Sequence, residues 1–405
     1  MTSLRRDAGL TLVELMITLV VASLVAASTF AFFAGQQTIY ETQGKLLTVQ
    51  QNLWSSMDLV SRYVRAAGTG MLNCVRPDSD AAGSDTGDPP PVGATMPQTG
   101  LRVFRSVATP ATLVQPLIPA GAMRLAPLWI KNGAAGAPDS LTVVYGAGAS
   151  GASMDANLAT TIPINASSTG VITTLAGQAA RFLTNEFILL VDRAQANGDR
   201  ACTLFQITGI SGNILQHATT SVWNASSDLA ALIPFAIEGG ATVTATTGGV
   251  RSFGQLTWVQ FAIDSTGAPD VPPRLTMNRL DGTGGPEVVA DGIEDMQIAY
   301  ACDLAPVGAP DGVLTEGTDA ATRATDEWTY NQDLDATSGW SGEAAQTGCL
   351  RPDSIRITLT ARSLNEDNLI KTMSGNAKPA AEDGVAGSTD RYRHRVATVS
   401  MHPWN

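Results

Sequence analysis

Between Leu10 and Phe33 the chain reads LTLVELMITLVVASLVAASTFAFF, 24 residues that are apolar or small apart from a few hydroxyls and one charge, Glu14. At about 1.5 Å per residue, a helix of this length crosses an apolar layer of roughly 30 Å. A short leader, MTSLRRDAG, precedes it, and Arg5 and Arg6 predict a cytoplasmic leader by the positive-inside bias. The rest of the chain is then expected on the exported side.

Three explanations of the run compete. A secretory signal finds small residues for cleavage at Val25, Ala26 and Ala27. A plain membrane anchor needs only the length. Both leave Glu14 unexplained, because a carboxylate within an apolar helix is costly and such groups usually have a partner. Cleavage between Gly9 and Leu10 supplies one: it frees an amine on Leu10 and makes Glu14 the fifth residue of the processed chain. In a bundle of staggered identical helices, the amine of one subunit meets the carboxylate of another, and each buried charge compensates the other.

The helical pattern continues past the apolar run. Leu46, Val49, Leu53, Met57, Val60 and Val64 are spaced by three or four and form one stripe, with Gln50, Asn52, Ser56 and Arg62 read as lying off it. Gly68 and Gly70 are the natural stop. A helix from Leu10 to Gly68 is about 89 Å long at standard rise. The first proline of the chain is Pro77, so no proline kinks this spine, and Gly35 is its one weak point.

Beyond Gly70 the sequence changes character. Short β-branched runs divided by Gly, Pro, Asp and Ser predict strands at 141–145, 186–191, 204–208, 256–263, 274–280, 296–300, 354–361 and 395–401. One long helix followed by many strands is an α+β arrangement, the spine laid against an antiparallel body. The body is large for that plan, so a second β subdomain is expected at about 110–250. Exposed loops are expected at 78–100 and 303–348. The latter is an acidic insert with nine carboxylates against the single base Arg323. Within it Asn331, Asp333 and Asp335 alternate as calcium ligands would, but Ala336 stands where an EF-hand needs glycine and the glutamate is displaced to Glu343. A solvated loop is the better reading of the insert.

Composition narrows the chemistry. Asp plus Glu number 37 against 25 Lys plus Arg, and a formal charge of -12 argues against general nucleic-acid binding. Gly146, Gly148 and Gly151 form a G-x-G-x-x-G after a strand, yet no amphipathic helix and no acid about 20 residues on follow it. The three histidines, His217, His394 and His402, carry no H-E-x-x-H motif, and no G-x-S-x-G occurs. Arg391, Arg393 and Arg395 alternate as on one face of a strand and read as an exposed, solvated edge. No enzyme and no cofactor are indicated. Four cysteines without a C-x-x-C pair read as two structural disulfides, with three pairings open.

The order Arg-Arg-x-x-Gly followed by Leu-Thr-Leu-Val-Glu-Leu resembles the class III signal of type IV pilins and pseudopilins. The resemblance implies cleavage after Gly9 by a prepilin peptidase, methylation of the new N-terminus at Leu10, and a role for Glu14 in assembly. Later blocks resemble PilW-type minor pilins: LWSSMDLVSRYVRAAGTGMLNC ending at Cys74, VVADGIEDMQIAYACD over 288–303, SIRITLTARS over 354–363, and RYRHRVATVSMHPWN over 391–405. Together they cover about a third of the chain, and the acidic insert lies outside them. Order and context favour Cys74 with Cys202 and Cys302 with Cys349, the other pairings staying open. The resemblance implies a leader at 1–9, a transmembrane and filament-core helix at 10–33, an amphipathic half-helix at 34–70 and a β-rich body at 71–405. It further implies an inner-membrane precursor with a periplasmic body that later joins an extracellular filament with other minor pilins and the major pilin. A J-type pseudopilin of type II secretion and a pilus-associated adhesin are the alternatives.

Overall fold

A computed structural model describes residues 11–70, 101–104, 122–125, 128–147, 155–157, 162–163, 171–192, 202–221, 223–224, 242–243, 248–266, 271–280, 285–301, 314, 328–329, 353–367, 370, 376–379 and 389–402. Its first element is a single helix, α1, over Leu12–Ala66. At 55 residues it is about 82 Å long, and it runs unbroken through Gly35.

The two halves of α1 have different surroundings. From Leu12 to Phe33 every side chain is exposed, Leu12 at 77% and Phe30 at 75%. From Val49 onward a stripe is buried: Val49, Leu53, Ser56, Met57, Val60, Ser61 and Val64. Ser56 corrects the polarity-based assignment. It stands three residues after Leu53 and four before Val60, so helical geometry puts it on the buried stripe, with its Oγ lacking a hydrogen-bond partner.

Ten principal strands follow: β1 (Leu128–Lys131), β2 (Ser140–Ala147), β3 (Phe187–Asp192), β4 (Cys202–Gln206), β5 (Gly248–Asp264), β6 (Arg274–Arg279), β7 (Pro286–Asp291), β8 (Ile293–Ala301), β9 (Ser354–Arg362) and β10 (His394–Met401). The larger sheet runs β7-β6-β5-β3-β4 and continues into Leu101–Phe104 and Ala122–Leu125, with β2 also on β5 and β1 on β2. The second sheet places Trp328–Thr329, β8, β9 and β10 side by side. Pairing is antiparallel except where Leu101–Phe104 meets β4. The architecture is α+β, a long apolar helix on an antiparallel body.

The 17-residue β5 organises this body, because its two ends have different neighbours. Its C-terminal half pairs with β2 and β6, and its N-terminal half pairs with β3 after a bulge between Ser252 and Gly254. Alternation of side chains along the strand then feeds two cores. Val259 and Phe261 join the α1 stripe, Ile298 and Tyr300 of β8, and Ile355 and Ile357 of β9. Trp258 and Leu256 point into a second cluster with Trp129, Phe187, Leu204 and Trp223.

The end of α1 is fixed to the body by backbone. Gly68 and Gly70 take φ values of 73° and 84°, which side-chain-bearing residues rarely adopt. Gly68 N donates to Val144 O at 2.9 Å, and Gly146 N donates to Thr69 O at 2.8 Å. Gly146 therefore belongs to β2 and not to a phosphate-binding turn. A Cβ there would lie 2.2 Å from the carbonyl oxygen of Phe253, so close strand packing explains the glycine. Gly148 and Gly151 lie outside the described residues.

Candidate assembly site

The exposed end of α1 is built as a helix start that can exist in an apolar medium. Thr11 is its N-cap, extended at φ -74° and ψ 147°. The Thr11 hydroxyl accepts from Glu14 N at 3.2 Å, while Glu14 Oε2 accepts from both Thr11 N and Thr11 Oγ1 at 3.0 Å each. This reciprocal capping box satisfies backbone donors that lipid could not. It also holds a negative charge in the first turn, where the helix dipole favours it.

The hydroxyls further along are handled the same way. Thr18 donates to Leu15 O at 2.9 Å, Ser23 to Val20 O at 2.8 Å, and Ser28 and Thr29 both to Val25 O at 2.8 Å. Each polar group on the run has thus found an acceptor within the helix. The charge of Glu14 is different: Thr11 gives it dipoles but no cation. α1 is the one helix among the described residues long and apolar enough to cross a membrane, and its apolar window is entirely outside the folded body.

Gly9 and Leu10, the expected cleavage and methylation positions, lie just before the described residues. Cys74, Cys302 and Cys349 lie outside them as well, and Cys202 opens β4 opposite Val191 and Leu101. Asn331, Asp333 and Asp335 are also outside. Among the described residues no group of three His, Cys, Asp or Glu side chains is placed to hold a metal ion.

Two histidines have environments that the sequence did not disclose. His394 is buried on β10, with Nδ1 2.6 Å from Glu294 Oε1 and Nε2 3.0 Å from Asp390 Oδ1. Burial opposes its charge, but the hydrogen bonds to Glu294 and Asp390 outweigh it and hold its pKa above the usual value. His217 packs on Phe205 at 5.0 Å between ring centroids, buried and, among the described residues, with no hydrogen-bond partner on either nitrogen. Desolvation lowers its pKa to about 4.

The arginine series is also corrected. Only Arg395 lies on β10, whereas Arg391 and Arg393 stand in the bend before it. Arg391 Nη1 is 3.4 Å from Glu366 Oε2, and Arg393 Nε pairs with Asp367 Oδ2. Alternation in sequence mimicked a strand face, but carboxylates from the segment after β9 hold these two cations.

Comparison with known proteins bears on this N-terminal site. Residues 4–30 match the model of the prokaryotic N-terminal methylation motif, the signal of type IV pilin-like prepilins. The motif indicates a prepilin-like protein, processed at its N-terminus by a prepilin peptidase and assembled with other pilins. Together with the apolar α1 it points to membrane anchoring. It is a structural and not typically an enzymatic motif. No curated protein and no solved structure matches the chain.

Proposed function

We propose that this chain is a minor pilin of the PilW type, which takes part in initiating and assembling a type IV pilus. The observation that carries the reading is the N-terminal construction: a prepilin signal, an exposed apolar helix and one carboxylate in its first turn. Cleavage after Gly9 frees the amine of Leu10, which is then methylated. Residues 10–33 hold the precursor in the inner membrane with the body, 71–405, in the periplasm. The same helix then leaves lipid for the filament core, where packing against neighbouring helices replaces acyl chains.

In this mechanism Glu14 selects register. Its carboxylate, already oriented by Thr11, meets the amine of a neighbouring subunit, and each charge neutralises the other. The amphipathic half-helix, 34–70, carries the body to the filament surface. Disulfides among Cys74, Cys202, Cys302 and Cys349 would brace the body in an oxidising compartment. The acidic insert, 303–348, lies almost entirely outside the described residues.

N-terminal sequencing of the exported protein tests the first step, with Leu10 as the expected start. A start at Ser28, or retention of Met1, would overturn it. Recovery in sheared pili tests the second: Glu14→Ala should insert in the membrane normally yet be depleted from filaments. A J-type pseudopilin would instead leave pili unchanged on deletion and abolish type II secretion.

A further inference from the structure

The body is acidic, and several of its described cations are matched by carboxylates. Arg62 is 2.9 Å from Asp58, Lys378 is 2.7 Å from Asp295, and Arg391 and Arg393 hold Glu366 and Asp367. Two cations without a carboxylate partner among the described residues share one small cleft of about 90 Å³. Lys45, Val49 and Asn52 of α1 form one wall, and Arg362, Leu364 and Asn365 at the end of β9 form the other.

Arg362 has no carboxylate among the described residues. Its guanidinium lies over the Tyr392 ring at 4.1 Å, and its Nε is buried without a hydrogen-bond partner. Lys45 reaches only a neutral group, the carbonyl of Glu366 at 3.0 Å. The acids nearest in sequence, Glu366 and Asp367, are turned to Arg391 and Arg393. Asn52 is committed to Asp291 O at 3.0 Å. The cleft thus carries two positive charges and no carboxylate on its lining, an arrangement that attracts an anion.

Shape and position select the anion. Stacking on Tyr392 fixes the plane of the guanidinium, whose N–H fork suits an oxyanion, and Lys45 adds a point charge from across the cleft. The cleft has room for a tetrahedral group. Lys45 is five residues beyond the exposed Tyr40, about 8 Å along α1, and its side chain leans back toward the apolar run. Tyr40 itself stands seven residues, about 10 Å, beyond Phe33, and an exposed aromatic past an apolar span marks the headgroup side of that span. We infer that this cleft between α1 and the end of β9 binds a phosphate group, supplied by an anionic phospholipid headgroup of the anchoring membrane or by free phosphate. The lipid source rests on the reading of α1 as a membrane helix, whereas the phosphate chemistry does not.

The test uses the full chain in two arms. In neutral detergent, inorganic phosphate is titrated by calorimetry, with acetate as the control. In nanodiscs of phosphatidylcholine with phosphatidylglycerol, native mass spectrometry counts retained lipid after release into detergent. Saturable phosphate binding that weakens about tenfold or more in both Lys45→Gln and Arg362→Gln is expected. One retained phosphatidylglycerol, lost in the same variants, assigns the lipid source; phosphate binding without lipid retention assigns the free ion. Neither response, an equal response to acetate, or binding unchanged in the variants overturns the proposal. Lys45→Gln leaves the Tyr392 stack untouched and carries the test if Arg362→Gln does not fold. Carbonate extraction of membranes reports separately whether α1 is inserted.

Discussion

His394 and Glu294 are a hundred positions apart in the chain and 2.6 Å apart in the fold, Nδ1 to Oε1. With Asp390 on Nε2, both ring nitrogens face carboxylates, and only the imidazolium can donate to both. A folded-state pKa above the unfolded one means that the stabilisation is complete below about pH 6.5 and is lost as pH rises through the folded value. His394→Gln should therefore cost about 1–3 kcal/mol at pH 6 and progressively less as pH rises above neutrality. Urea unfolding of both proteins across that range checks it; a pH-independent difference would contradict it.

His217 has the opposite sign. Its pKa falls to about 4 on folding because burial disfavours the cation, so the unfolded chain takes up a proton that the folded one refuses. Stability is full above about pH 6.5 and declines as the pH drops toward 4, by roughly 3 kcal/mol in all. His217→Phe keeps an aromatic ring against Phe205 and removes two unpartnered nitrogens, so it should match the natural protein at pH 7.5 and exceed it at pH 5. Urea midpoints at these two pH values decide the matter.

Leu53 and Trp54 are adjacent in sequence and opposite in environment, 2% and 61% exposed. Leu53 packs in the core that α1 shares with the two sheets. Leu53→Ala should cost about 2–5 kcal/mol, and Trp54→Ala should stay within about 0.5 kcal/mol. Chemical denaturation of the full chain in detergent distinguishes them, and equal losses would mean that the wrong face of α1 had been assigned to the body.

The spine was legible because two strong periodicities coincide in it, an unbroken apolar run and a stripe at three and four. The strands from β8 to β10 were legible as β-branched runs. β5 was only half visible, since Gly248, Gly249, Arg251 and Gly254 interrupt its N-terminal part, and Gly254 sits at a bulge with φ 79°. Glu14 stood out as a charge where charges are rare. The surroundings of His394 and Arg362 were hidden for another reason: they join elements far apart in sequence, and no local pattern records such pairing. Arg391 and Arg393 show the reverse error, in which a local pattern was present without the strand.

Thr11 offers a way to separate helix-start geometry from charge at Glu14. Thr11→Val removes the hydroxyl that accepts from Glu14 N and donates to Glu14 Oε2, but leaves the carboxylate and the backbone bond from Thr11 N. If Thr11 only orients Glu14, this variant should enter filaments at a reduced level, with Glu14→Ala lower still. Glu14→Gln keeps the side-chain acceptor of the capping box while discarding the charge, so it should resemble Glu14→Ala in filament recovery although the helix start is retained. Quantitative immunoblotting of sheared and cell-bound fractions orders the three. Recovery of Glu14→Gln at the natural level would show that the capping box suffices and that no ammonium partner is needed.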